Sequence, residues 1–440
     1  KDYLLKRVMP QAFCPACNRF MPDRYVEGTC PYCNFPEARG DQCDQCGQPL
    51  NPGELLNFHC RVCGGTPRFE NSEHFFLRLS AFQDKLCSWV GQQTQWRQNV
   101  KKFTQGILDS GLKDRAITRD LEWGVSVPYP GFENKRIYVW FEAVIGYLSA
   151  SREWAVKRGN NEAWKQWWDD GVKGYYFIGK DNIPFHTIIW PAMLMGYGDL
   201  ALPVNVPANE FLTIEGKKLS TSRNWAVWLP DYLQRYAADP LRYALSINMP
   251  ETGDTDFSWH EFLRRNNDEL VATYGNLVHR ILSFTSRNFA GVVPAADSLD
   301  AQSKELIDKA RETLLNVGNL IEQCRFKEGI KTAMQLAQDA NRYIDEKAPW
   351  KTIKQDRGSA GMAVYTTLSL VSALKTMLYP YLPFSSQKLH GFLGFTGKVQ
   401  DCGWEMQMPL PGAPLPLPSP LFIKLDDSIV EAETQRMGNL

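Results

Sequence analysis

No run of about 18 uncharged apolar residues occurs in this 440-residue sequence, which argues against a membrane span. Net charge is also absent. Lys+Arg and Asp+Glu number 49 each, which excludes a histone-like coating of nucleic acid but leaves room for a local basic patch. The first residues, Lys1-Asp2-Tyr3-Leu4-Leu5-Lys6, lack the apolar core of a secretory signal and an initiator Met. The expectation is a chain that begins inside something larger. No internal repeat is visible beyond paired cysteines. Hydrophobic residues at 44% and charged residues at 22% are ordinary globular usage, which excludes wholesale disorder and collagen. At about 100–200 residues per domain, the length allows two to four domains. Tryptophan, by contrast, is plentiful at 14, as suits aromatic platforms or pockets.

The 11 cysteines are unevenly spread, with eight between residues 14 and 63. Cys87, Cys324 and Cys402 stand alone. The eight form four Cys-x-x-Cys pairs: Cys14/Cys17, Cys30/Cys33, Cys43/Cys46 and Cys60/Cys63, with gaps of 12, 9 and 13 residues. A two-residue spacer lets both sulfurs of a knuckle face one ion, and four thiolates suit tetrahedral Zn²⁺. Asn18, Asn34, Gly47 and Gly64 follow the pairs, and these residue types tolerate the positive φ of a tight turn. One or two structural zinc ions in a reducing compartment are expected, because a complete four-thiolate set leaves no open catalytic position. Sequential, nested and crossed pairings would each close two sites.

Beyond this Cys-, Pro- and Gly-rich stretch at 10–67, residues 73–115 read as helices. Across 119–250, short runs such as Ile137-Tyr138-Val139-Trp140, Gly174–Ile178 and Leu202–Val206 alternate with helical stretches, the pattern of a parallel α/β sheet. From about 260 the pattern is helical. Apolar positions 270, 274, 277, 278 and 281 recur at helical spacing, and similar stripes run through 303–326, 328–346 and 359–379. Six prolines within 409–420 predict an extended strap, followed by a short helix over 427–437.

Two stretches carry chemistry. In Tyr176–His186, a strand ends at Gly179 with polar residues at its carboxyl end, where ligands bind open α/β sheets. In Gly216–Arg223, cations, hydroxyls and backbone N–H groups in one loop suit a polyphosphate. Lys218-Leu219-Ser220-Thr221-Ser222 resembles the Lys-Met-Ser-Lys-Ser signature of class I aminoacyl-tRNA synthetases. The surroundings narrow the resemblance to methionyl-tRNA synthetases: Tyr138–Tyr147, Phe177–Asp181 with His186, Trp190–Leu194, Arg119–Gly124 and the four knuckles are all similar to that family's segments.

The resemblance implies an α/β fold: the second half of a class I Rossmann-like nucleotide-binding domain, with a zinc-knuckle insertion and a C-terminal all-α anticodon-binding bundle. Its implied parts are 1–118 (the insertion, with knuckles at 10–67), 119–215 (the second Rossmann half), 216–262 (the signature region) and 263–440 (the anticodon bundle). It also implies that Cys30, Cys33, Cys43 and Cys46 share one ion and Cys14, Cys17, Cys60 and Cys63 another. Trp140, Ala143, Val144, Tyr147, Asn182 and His186 would line a methionine pocket, and aromatic and apolar walls do suit a thioether. Gly179, Asp181, Lys217, Lys218, Thr221 and Arg223 would bind ATP with Mg²⁺. Asp181 would accept a hydrogen bond from the ribose, and Lys218, Ser220 and Thr221 would serve the reaction. Asn276, Arg280 and Trp350 would read the anticodon of methionine tRNA, by hydrogen bonding and stacking. A cytoplasmic enzyme is implied.

Two departures stand out. Thr221 replaces the second signature lysine, and Lys217, Lys218 and Arg223 stand close enough in sequence to supply its charge. The family's His-Ile-Gly-His motif is absent, so this chain alone is expected to be inactive. It would be a monomer, or paired with a chain that supplies the first half. A rival reading is a non-catalytic tRNA-binding fragment or subunit.

Overall fold

The structure, a computed structural model, describes residues 2–169, 171–221, 224–295 and 298–438. It divides into two compact units, Lys1–Asn209 and Glu210–Leu440.

The first unit is built on a long antiparallel ladder. Strand Leu4–Cys14 pairs with Arg68–Leu77 from Leu4↔Leu77 to Phe13↔Arg68. The ladder holds the knuckle region at one end, where a second sheet aligns Ala38–Arg39, Val26–Thr29 and Leu56–Cys60. The reading of 73–115 as all helix is corrected here, since Glu73–Leu77 finishes the second strand. Its aromatic residues fit a pleated, half-buried surface, and its partner lies more than 60 positions away. Helices Gln83–Gly91 and Gln98–Asp109 follow, burying Leu86, Val90, Val100 and Leu108.

A second correction concerns 137–140. Only Arg136–Ile137 is strand, paired with Thr118–Arg119, and the helix Val139–Lys157 starts two residues later. Burial of Phe141 and Val144 on one helical face overrides the strand preference of Val139 and Trp140. The parallel pattern is present as two short ladders, Gly174–Tyr175 with Pro203–Asn205 and Ile178–Gly179 with Ala208–Asn209. Between them runs a crossover of one π-helical segment, Phe185–Ile189, and the α-helix Trp190–Tyr197. Trp190, Ile183, Val206 and Ala208 are buried where these elements pack.

In the second unit, Leu212–Ile214 forms a hairpin with Lys217–Lys218 and a parallel pair with Thr255–Phe257. Helical structure then runs from Trp259–Arg264 through a π-helical stretch, Arg265–Gly275, into Asn276–Asn288. Leu270, Tyr274, Leu277, Val278 and Ile281 are all buried, as their spacing predicts. Helices Ala301–Glu322, Phe326–Lys347 and Arg357–Leu378 complete the bundle core. Arg357–Leu378 is long and apolar enough to cross a membrane, but nearly all of it is buried as the bundle's central helix. The proline-rich strap is extended and bonded to 291–293 through Val293 N–H to Ala413 O and Leu415 N–H to Gly291 O.

Candidate functional site

The knuckle sulfurs fall into two nested groups: Cys14, Cys17, Cys60 and Cys63, and Cys30, Cys33, Cys43 and Cys46. Within each, all four lie within 4.8 Å of one another. Asn18, Asn34, Gly47 and Gly64 all take positive φ, between 49° and 72°, so each pair closes on a tight turn. The Sγ···Sγ distances are 3.5 Å (Cys14–Cys63), 3.9 Å (Cys17–Cys60), 3.9 Å (Cys30–Cys46) and 3.6 Å (Cys33–Cys43). A tetrahedron with Zn–S near 2.3 Å requires about 3.8 Å, so both groups fit zinc. Hydrogen bonding with Cys63 pushes the Cys17 thiol up to about 12, and burial pushes Cys43 up to about 12. A bound cation would favour the thiolate at both.

An aromatic cage forms where Val139–Lys157 meets the π-helical segment. Trp140 stacks on Phe185 at 4.5 Å and 14°. Tyr147 sets its ring edge-on to Tyr176 at 5.2 Å, and its hydroxyl is 2.8 Å from His186 Nε2. His186 Nδ1 is 2.9 Å from the carbonyl oxygen of Asn182. Nδ1 therefore carries the proton and Nε2 accepts from Tyr147. Burial drives the His186 pKa below the ordinary histidine value and the Tyr147 pKa above the ordinary phenol value, so both groups are neutral near pH 7. Ala143 is exposed on the same helix, Asn182 is half-buried, and Val144 faces the core. Phe185, Tyr176 and Trp190, whose indole N–H reaches the Tyr176 hydroxyl at 3.2 Å, were not anticipated as cage members. Their signal in the sequence is their place in or beside the Tyr176–His186 and Trp190–Leu194 segments.

Gly179 ends its strand beside Asp181. A Cβ at Gly179 would sit 2.7 Å from Asp181 Oδ1, so the glycine leaves room for the carboxylate in this position. Asp181 itself is exposed.

In the second unit, Glu215 and Gly216 take positive φ in the two-residue hairpin turn before Lys217. Trp225 closes the signature loop through paired backbone bonds with Ser220, 3.0 and 2.9 Å. Its indole N–H donates to Ile214 O at 2.9 Å, and the Lys217 ammonium lies 4.3 Å from its ring centre. Lys218 and Thr221 are exposed, whereas Ser220 is partly buried. Ser222 and Arg223 lie outside the described residues. Farther along, Arg280 sits 5.1 Å from the Trp350 ring centre and 3.0 Å from Asp345, a partner the sequence reading missed. Asn276 is exposed one turn earlier on the Arg280 helix.

Comparison with known proteins agrees. Residues 1–282 match the model for class I tRNA synthetases (M), and residues 293–439 match that of the anticodon binding domain of methionyl tRNA ligase. A methionine–tRNA ligase of Dehalococcoides mccartyi is 58% identical, the alignment covering 100% of this chain and 79% of the relative. That of Thermomicrobium roseum is 48% identical over 99% and 80%. The solved Mycobacterium tuberculosis methionyl-tRNA synthetase bound by methionyl-adenylate shares the fold at TM-score 0.75 and 22% identity, covering 96% of this chain and 77% of that one. The fold and the matched models define a class I aminoacyl-tRNA ligase. The chain belongs to the methionyl-tRNA synthetase family.

Proposed function

We propose that this chain carries the methionine, ATP and anticodon contacts of a methionine–tRNA ligase. The reaction runs in two steps. The methionine carboxylate attacks the α-phosphorus of ATP, expelling pyrophosphate. The terminal ribose hydroxyl of methionine tRNA then attacks the adenylate. Positioning and charge neutralisation suffice for both steps.

The neutral Tyr147–His186 pair inside an aromatic cage supports this reading most directly. Trp140, Ala143, Val144, Tyr147, Asn182 and His186 form the methionine side. The cage offers rings to a thioether, and its polar pair carries no charge. Asp181 accepts from the ribose and Gly179 gives it room. Lys217, Lys218 and Thr221, with Arg223 outside the described residues, would hold the triphosphate, Mg²⁺ would supply further positive charge to it, and Lys218, Ser220 and Thr221 would serve the transition state. Trp350 stacks on an anticodon base while Asn276 and Arg280 hydrogen-bond base edges. Both thiolate groups would hold zinc as structural metal. No observation among the described residues favours a purely non-catalytic role. Isothermal titration with methionine tests the cage: saturable binding that Trp140→Ala abolishes is expected, and binding indifferent to that change contradicts the assignment.

A further inference from the structure

The inner knuckle does more than close on itself. Gln42 immediately precedes Cys43, a member of the inner thiolate group. Its side-chain amide uses both protons. One goes to the carbonyl oxygen of Gly47 at 2.9 Å, and the other to the carbonyl oxygen of Asp181 at 3.1 Å. Gly47 is the positive-φ residue just after Cys46, and its N–H donates to Cys43 O at 2.9 Å. Gln42 is thus anchored inside the turn that shapes the metal group. From there it reaches across 139 positions of sequence to Asp181. At Asp181 the exposed carboxylate accepts from the Asn182 side chain at 3.3 Å, while the backbone carbonyl takes the Gln42 bond.

We infer that Gln42 is a positioning residue for the nucleotide, tying the Asp181 backbone to the inner four-cysteine group so that the order of that group sets ATP affinity. The inference rests on the reading that Asp181 receives the ribose. A metal in the inner group would hold Cys43 and Cys46, and with them the Gly47 carbonyl and the Gln42 donor that Asp181 meets. Without it the turn would be freer and the Asp181 carbonyl would lose a fixed partner. The methionine cage has its own support in the Trp140–Phe185 stack and the Tyr147–His186 bond, so methionine affinity should not follow.

The test is calorimetric titration of the chain with Mg·ATP and, separately, with methionine. Gln42→Met keeps the side chain's length and removes its donors. The expected result is an ATP dissociation constant about three- to tenfold higher, as one hydrogen bond is worth, with methionine affinity and zinc content unchanged. Cys33→Ser, which opens the inner group at an exposed sulfur, should weaken ATP similarly, and adding Gln42→Met to it should change little further. Unaltered ATP binding in Gln42→Met overturns the inference, as do fully additive effects in the double variant. Asp181→Ala separates the two layers. ATP binding indifferent to Asp181→Ala overturns the ribose assignment itself. Sensitivity to Asp181→Ala with indifference to Gln42→Met overturns the bridge alone.

Discussion

The Tyr147 hydroxyl donates to His186 Nε2 at 2.8 Å, and the other ring nitrogen of His186 is fixed on the Asn182 carbonyl. The bond requires a neutral imidazole. Burial holds the His186 pKa below its ordinary 6.5, so the folded state binds its proton less readily than the unfolded chain. The resulting stability is fully present above pH 6.5 and is lost as pH falls through the folded pKa. Methionine affinity should therefore be flat from about pH 7 upward and fall in acid. Tyr147→Phe should raise the methionine dissociation constant about three- to tenfold at pH 7.5 and flatten that acid limb, which titrations across pH will show.

Asp23 and Arg119 form a buried ion pair at 2.7 Å, their side chains 5% and 6% exposed, with Tyr138 stacked 4.3 Å from the guanidinium. Asp23→Ala leaves that guanidinium buried without its carboxylate. The expected cost is about 3–5 kcal/mol, read as a lowered midpoint in urea unfolding. Replacing Lys157, whose pair with Glu153 is exposed on both sides (73% and 65%), should cost far less.

Metal content gives a third check. Two zinc ions per chain are expected, falling to one when Cys14 and Cys17 are both changed to Ser. Cobalt substitution should give the absorption bands of tetrahedral thiolate sites at each position. A strong chelator should lower the thermal midpoint of the first unit.

Thr221 carries no charge where the family signature has its second lysine. Lys217, seated over Trp225, is a fixed cation in the same hairpin. Lys217→Met should slow adenylate formation about tenfold or more, the scale of one charged contact to phosphate. Adding Thr221→Lys to that variant should restore much of the loss, as measured by pyrophosphate exchange at saturating methionine.

The sequence carried the local parts of this architecture and left the long-range parts unread. Asn18, Asn34, Gly47 and Gly64 announce four turns because positive φ is a property of single residues. The nested grouping of the cysteines depends on the Leu4–Cys14 and Arg68–Leu77 ladder, which no local window contains, so spacing alone left three arrangements open. The helical bundle was legible because 270, 274, 277, 278 and 281 sit within a few turns of one helix face. Val139 and Trp140 misled because their strand preference is local, whereas the helix is set by the burial of Phe141 and Val144 one face away. Phe185, Asp345 and Gln42 acquire their roles only by meeting Trp140, Arg280 and Asp181 across the fold.

The most direct test of the account is methionine-dependent exchange of labelled pyrophosphate into ATP. It should be run on this chain alone and on this chain supplied with the first half of a relative's nucleotide-binding fold. The account predicts exchange that requires methionine once that half is present, with Trp140→Ala abolishing it. No methionine-dependent exchange in either arrangement, while methionine tRNA is still bound, would contradict it.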